Sequence, residues 1–193
     1  LLAGGQSRRM GGGDKNLMPL GGVPLLSRVI ERAVPAGVPV IINANGDADR
    51  FATFGPPVVA DVIEGFAGPL AGVLTGLETA ATHHGDVTHV VSLATDAPFL
   101  PRDLVLQLYN ALADGVDIAQ VRSNGRRHPV FAIWPVALAP ALRQALVEAG
   151  LRKIDDFTSK HKCAIVDFEG EPDPFTNVNT PEDFAQAEAV IAG

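Results

Sequence analysis

The chain opens Leu1-Leu2-Ala3-Gly4-Gly5-Gln6-Ser7-Arg8-Arg9-Met10-Gly11-Gly12-Gly13-Asp14-Lys15, an apolar strand tip running into a loop suited to holding polyphosphate. Gly4, Gly5 and Gly11 to Gly13 let the backbone turn sharply and approach a ligand with no Cβ in the way. Successive N–H groups in such a loop form an anion-binding nest. Arg8, Arg9 and Lys15 place cationic side chains on the same loop, where they match charge on phosphates. The bland alternative is a solvated Gly-rich terminus, which does not account for glycines interleaved with three cations directly after a strand.

Outward from this loop, short β-branched runs alternate with longer amphipathic stretches. Strands are expected at Leu1–Ala3, Val38–Asn43, Pro57–Ala60, His89–Ala94, Ile118–Arg122, Pro129–Trp134 and Cys163–Phe168. Helices are expected at Pro24–Val34, Pro69–Thr82, Pro101–Asp114, Pro135–Ala149, Leu151–Lys160 and Pro181–Ala192. Five of these six helices open on proline, the residue favoured at the first helical position. Thr180, with Asp183 three residues later, resembles a capping box that uses Asp in place of Glu.

This alternation implies a three-layer, doubly wound α/β fold with a mostly parallel, Rossmann-like sheet. No repeat, low-complexity tract or long linker divides the chain, so one domain over residues 1–193 is expected. In open sheets of this class ligands bind beyond the carboxyl ends of the strands. Gly4 to Lys15, Asn43, Asp61 and Thr95-Asp96 each follow or end a strand and should converge on one crevice.

At 193 residues and 47% hydrophobic content the chain can bury a sizeable core. A net charge of −7 argues against broad nucleic-acid binding, so cations for an anionic ligand must be concentrated locally. The one cysteine, Cys163, opens an apolar run and reads as a buried structural thiol. With no disulfide possible within the chain, a reducing cytoplasm is the expected setting. No apolar run approaches the ~20 residues of a membrane span, and no signal peptide is visible. The chain starts without Met and with a stub of strand, which suggests that a few strand residues precede it.

Asp96 ends the apolar run Val90-Val-Ser-Leu-Ala-Thr-Asp96 and is followed by two prolines, Pro98 and Pro101. A lone carboxylate on a stiffened turn at a sheet edge suits Mg²⁺ bound to nucleotide phosphates, which takes one or two carboxylates plus waters. Asp96 is therefore the first choice of metal ligand, an Asx-turn or capping role being the alternative. Asp61 has the same two readings.

Several reaction classes lack their parts. Lys15 is preceded by Asp14 and followed by Asn16, so the P-loop pattern fails, and no G-x-G-x-x-G occurs. Gly5-Gln-Ser-Arg-Arg9 misses the nucleophile elbow, and the five histidines show no zinc spacing with Cys163. Phosphate chemistry by positioning and charge neutralisation is what remains. In a nucleotidyl transfer to a phosphate oxygen, the nucleophile is already anionic and needs no general base.

The loop Leu2 to Lys15 resembles the signature of the molybdenum cofactor guanylyltransferases, the MobA family. The resemblance continues through Ile42-Asn-Ala-Asn45, Gly68-Pro-Leu-Ala-Gly72, Thr95-Asp-Ala-Pro-Phe-Leu-Pro101, His128-Pro129 and Phe175-Thr-Asn-Val-Asn-Thr-Pro-Glu-Asp-Phe184. It implies transfer of GMP from GTP to the molybdopterin form of molybdenum cofactor, giving the guanine dinucleotide form and pyrophosphate with Mg²⁺. Carried over by position, Leu2, Ala3, Gly4 and Gly5 line the guanosine site. Lys15 contacts phosphate, with Arg9 nearby. Asn43 and Asp61 match nucleotide-site positions, Asp96 matches the magnesium ligand, and Asn177 and Asn179 fall where the pterin is held. On this resemblance residues about 1–100 form the nucleotide-binding half and about 101–193 the pterin-binding half. Transient contact with proteins that deliver or receive the cofactor is also implied.

In an extended segment Asn177 and Asn179 would project to one face, and an amide's paired donor and acceptor suit a pterin ring edge. Two turn-forming asparagines are the alternative. Arg126-Arg127-His128 reads preferentially as an exposed basic turn, with contact to the pterin phosphate as the second reading. The nearest rival function is a molybdopterin cytidylyltransferase using CTP. Those enzymes resemble Leu-Ala-Ala-Gly at the loop start, where Gly4 here leaves room for a purine. A non-catalytic nucleotide-binding module would not be expected to keep both Lys15 and Asp96.

Overall fold

Leu2 makes a parallel bridge to Asn43 on one side and to Ala94 on the other, and this short segment joins the whole sheet. The computed structural model describes residues 1–4, 15–65, 68–113 and 115–193. On one side of Leu2 lie β3 (Ile42–Asn43) and β4 (Val58–Val59), paired in parallel. On the other side lie β5 (His89–Ser92), β7 (Arg126–Pro135), β6 (Ile118–Ser123) and β8 (Cys163–Phe168), hydrogen-bonded in that order. Only β7 runs against its neighbours in this main sheet. A separate hairpin of β1 (Pro19–Leu20) and β2 (Val23–Pro24) precedes the first helix.

Period-two alternation divides the side chains between two helical layers. Ala119, Val121, Phe131 and Ile133 face α1 (Leu25–Ala33) and α3 (Leu104–Asn110), which contribute Leu26, Val29, Leu104 and Leu108. Ile118, Ala132 and Trp134 face α2 (Pro69–His83), α4 (Ala139–Val147) and α5 (Ile154–Thr158) through Leu70, Val73, Leu142 and Phe157. A third cluster packs α6 (Pro181–Ala192) onto the hairpin through Leu20, Leu25, Val178 and Phe184. Each fully buried leucine contributes roughly 1.5–3 kcal/mol by leaving water. Three layers, helices on both faces and a mostly parallel sheet are thus as the sequence leads one to expect.

The departures have local causes. β7 starts at Arg126, earlier than the expected Pro129, and pairs antiparallel with β6 as a hairpin. Its turn is Asn124-Gly125, with φ of 46° and 82°, both left-handed as a type I′ turn requires. β7 carries extra residues where the register shifts between Gln120 and Val121. Ser92 Oγ fastens this bulge, donating to Val130 O at 2.5 Å while accepting from Trp134 Nε1 at 2.9 Å.

The expected strand Val38–Asn43 contracts to Ile42–Asn43, because Pro39 has no N–H to give and Gly37 to Pro39 are exposed. Proline occupies the first helical position only in α2 and α6. Pro24 instead belongs to the hairpin strand, Pro101 opens a turn closed by Leu104 N→Pro101 O (3.2 Å), and Pro135 ends β7. A 3-10 turn, Val136–Leu138, precedes α4, and α5 keeps only the middle of its expected span. Asp114, the expected end of the third helix, lies outside the described residues. Among the described residues no helix is long and apolar enough to cross a membrane.

Candidate active site

Val59, Asn43, Leu2 and Ala94 form one row across four neighbouring strands. Two residues further along each strand stand Asp61, Asn45, Gly4 and Asp96, just beyond the carboxyl edge of the sheet. Three inter-strand spacings separate the ends of this row, roughly 14 Å, so a nucleotide laid along it would reach from one carboxylate to the other.

At the Asp96 end, Lys15 rises from a 3-10 turn, Lys15–Leu17. Its Nζ donates to Asp96 Oδ2 at 2.8 Å and to Asn179 Oδ1 at 2.5 Å. Both charged side chains are largely shielded, 13% and 16% exposed, so their attraction is stronger than that of a surface pair. Asn16 fixes where Lys15 stands. It is buried, donates to Ala3 O at 3.3 Å, and accepts from Thr95 Oγ1 at 2.6 Å. The end of the glycine loop is thereby stitched to the Leu2 and Ala94 strands, the third and fourth of the row.

Asn179 is held by the start of α6. Val178 N donates to Asp96 O at 2.8 Å, drawing this segment alongside the Asp96 turn. Asp183 Oδ2 accepts from Asn179 N (2.8 Å) and Thr180 N (2.9 Å), and Asp183 N donates to Thr180 Oγ1 (3.1 Å). This is the capping box expected from the sequence. The backbone N–H of Asn179, followed by those groups on Thr180 and the charge of Lys15, holds the Asp183 carboxyl below its ordinary range against a smaller opposing effect of burial. Val178 is buried while Asn177 is exposed and Asn179 half-buried, the alternation the sequence implies.

At the other end, Asp61 is gripped by two amides from β3 and the residues after it. Asn43 Nδ2 donates to Asp61 Oδ1 at 2.9 Å and to Val59 O at 3.2 Å. Asn45 Nδ2 donates to Asp61 Oδ2 at 2.8 Å and its Oδ1 accepts from Asp61 N at 2.9 Å. Gly72 of α2 lies directly beneath. A Cβ there would overlap Asn43 Oδ1 and come within 2.6 Å of Leu2 Cδ2.

Thus Lys15, Asp96 and Asn179 meet in one cluster, Asn43 and Asp61 meet in another, and Leu2, Ala3 and Gly4 lie between them. Arg9, Gly5 and the other loop residues from Gln6 to Asp14 lie outside the described residues. Arg126 and Arg127 are exposed on the β6–β7 hairpin, where Arg127 Nη2 donates to Gln120 Oε1 at 2.5 Å. Sequence reasoning passed over Asn16, seen only as the residue that spoils a P-loop, and Asn45, visible only as the second member of an alternating Asn43/Asn45 pair. Cys163 is half-buried, its Sγ donates to Thr158 O at 3.2 Å, and burial pushes its thiol up, in keeping with a structural role.

A cavity of about 710 Å³ opens toward the opposite edge of the sheet among Val38, Val40, Val91, Leu106 and Tyr109. It contains neither Lys15 nor either carboxylate of the row, so volume is no guide to the chemistry here.

Among the described residues no group of three or more His, Cys, Asp or Glu side chains could by itself cage a metal ion. Asp96 Oδ1, however, is buried and has no hydrogen-bond partner among the described residues, a hard oxygen beside the Lys15 ammonium. A site with one protein carboxylate fits a divalent ion that takes its remaining ligands from phosphates and water.

Residues 1–163 match the MobA-like NTP transferase domain. The chain is 51% identical to a molybdenum cofactor guanylyltransferase of Rhodopseudomonas palustris (strain BisB5), over 98% of this chain and 91% of that one. It is 50% identical to a molybdenum cofactor guanylyltransferase of Bradyrhizobium sp. (strain ORS 278), over 100% and 92%. The molybdopterin-guanine dinucleotide biosynthesis protein A of Archaeoglobus fulgidus superimposes with a TM-score of 0.78 at 22% identity, over 99% of this chain and 96% of that one, a likeness of fold. The carboxyl-edge row, the shielded lysine–aspartate pair and these matches agree: the chain belongs to the molybdenum cofactor guanylyltransferases of the MobA-like NTP transferase family, and is a nucleotidyltransferase.

Proposed function

We propose that this protein transfers GMP from GTP to the molybdopterin form of molybdenum cofactor, in the cytoplasm, releasing pyrophosphate and the guanine dinucleotide form. The observation that carries the reading is the row Asp61, Asn45, Gly4, Asp96, closed at its phosphate end by Lys15. Guanine lies at the Asp61 end, the sugar passes over Leu2, Ala3 and Gly4, and the phosphates reach Lys15 and Asp96. Each Asp61 oxygen takes one hydrogen bond from an asparagine and keeps acceptor capacity for the N1–H and N2–H of guanine.

The attacking group is a phosphate oxygen of the cofactor, already anionic, so no side chain has to remove a proton. It forms a new bond to the α-phosphorus while the bond to the β-phosphate oxygen breaks, and that electron pair leaves with pyrophosphate. Lys15, with Arg9 as its neighbour on the loop, neutralises charge that grows on the transferring group. Asp96 is read as the ligand of Mg²⁺, through its unpartnered Oδ1; when bound, Mg²⁺ supplies Lewis-acid stabilisation of the α-phosphate and the leaving pyrophosphate. Asn179, tied to Lys15, and Asn177 beside it form the edge that receives the pterin.

Residues 1–193 act as one domain on this reading, with the nucleotide served mainly by residues up to about 100 and the pterin by those beyond. Transient docking of proteins that deliver or accept the cofactor fits this division. The test is calorimetric binding of GTP and CTP side by side with Mg²⁺, followed by formation of the joined product. GTP preference, with product lost in Lys15→Ala and Asp96→Ala, supports the reading. CTP preference overturns the base assignment, and full activity in both variants overturns the site.

A further inference from the structure

Asn45 is exposed, yet it makes the most fully determined contact at the base end of the row. Its amide is engaged at both atoms by one residue: Nδ2 donates to Asp61 Oδ2 and Oδ1 accepts from Asp61 N. Rotating the amide by half a turn would set donor against donor and acceptor against acceptor, so its orientation is fixed. Asn45 is itself held, since its carbonyl accepts from Arg50 Nη2 at 2.9 Å and Gly46 turns the chain away with φ of 86°. Asn43, two residues earlier and on the same face, takes the other carboxylate oxygen.

Two amides spaced i and i+2 therefore set the rotation of the Asp61 carboxylate as well as its place. A carboxylate held by one partner swivels about its Cβ–Cγ bond. Held by both, it keeps two acceptor oxygens side by side. That shape complements adjacent, parallel donors, the N1–H and exocyclic N2–H of guanine, and opposes bases that present an acceptor at either position. We propose that Asn45 is a positioning residue for guanine selection, acting through Asp61. The proposal rests on the reading of Asp61 as the group that meets the base.

The experiment compares Mg²⁺-supported binding of GTP with that of ITP, whose base keeps N1–H and lacks the exocyclic amine. Wild type is compared with Asn45→Ala, Asn45→Asp and Asp61→Asn, and thermal midpoints are measured alongside. In Asn45→Ala the preference for GTP over ITP should fall on the order of tenfold, the loss of one charge-assisted hydrogen bond's worth of orientation, while the midpoint stays near that of wild type. Asn45→Asp, isosteric but setting a carboxylate against Asp61 Oδ2, should reduce the preference at least as far. An unchanged preference in Asn45→Ala, or an equal loss for both nucleotides, overturns the proposal and leaves Asn45 as a clip between two loops. If Asp61→Asn also leaves the preference unchanged, the reading of Asp61 fails as well, so the two failures are distinguishable.

Discussion

Lys15 Nζ sits 2.8 Å from Asp96 Oδ2, a pair 81 residues apart in the chain that the adjacent Leu2 and Ala94 strands of the row bring together. Cation and carboxylate neutralise each other, so an anionic ligand drawn to this cluster would not meet bare negative charge. The pair therefore sets the electrostatics of the site before any ligand arrives.

Replacing Lys15 by Ala leaves Asp96 shielded and without its cation, and strips Asn179 Oδ1 of this donor. Stability should fall by about 1–3 kcal/mol, and turnover by about 10²–10³-fold, the range for losing one electrostatic stabiliser. Asp96→Ala alone should also abolish product. A double-mutant cycle on urea unfolding should give a coupling of about 1 kcal/mol or more between the two positions. Strict additivity would mean that the pair does not interact in solution.

Much of this site can be read from the chain alone, for a definite reason. A parallel sheet gathers its ligand-binding groups at one edge, so Gly4, Asn43, Asp61 and Asp96, each following an apolar run, had to converge once the alternation of strands and helices was recognised. Asn16 and Asn45 were harder to see. They act by pinning backbone and carboxylate groups across 13 and 16 residues, and no periodicity marks such contacts. The antiparallel β7 also has a mark in the sequence. Asn124-Gly125 between two β-branched runs is a hairpin signal, which the expectation of parallel units overrode.

Gly72→Ala tests how tightly the Asn43–Asp61 end of the row is packed. The added methyl group meets Asn43 Oδ1 and Leu2 Cδ2, neither of them the end of a long flexible chain. Overpacking of this kind costs about 1–3 kcal/mol, and pushing Asn43 away loosens its hold on Asp61. A lowered thermal midpoint together with weaker GTP binding is expected. A midpoint and affinity both equal to wild type would show that Asn43 has room the structure does not reveal.

His128 offers a pH test away from the row. Its ring packs against Phe175, with centroids 5.4 Å apart, and its Nε2 is buried without a hydrogen-bond partner among the described residues. Burial pulls the imidazole below its ordinary value; Asp173 pushes it back up and Arg126 adds to the lowering. The folded state thus binds the proton less readily than the unfolded state. Stability is fully present above the unfolded value of about 6.5 and is lost as pH falls below it toward the lowered folded value. His128→Phe keeps an aromatic ring and removes the titration. Its unfolding free energy should change less than that of wild type between pH 7 and pH 5, and equal slopes would refute this assignment.

Asp183 should show its effect at lower pH, and through Asn179. Its carboxylate accepts from the N–H groups of Asn179 and Thr180, so it caps α6 and also fixes the residue that meets Lys15. Asp183→Ala removes one half of the capping box, at a cost of about 0.5–2 kcal/mol. Because its carboxyl is held below the ordinary range, the stabilisation is present above the unfolded value of about 3.9 and disappears as pH falls through the folded value. The difference between wild type and variant should therefore be constant from pH 7 to pH 5 and shrink below about pH 4. If Asp183 serves only the helix, turnover at pH 7 should survive in full once the variant is folded. On the proposed reading of Asn179 as part of the pterin edge, loss of its backbone anchor should weaken binding of the pterin substrate with GTP affinity retained, which separates that positioning role from simple loss of a cap.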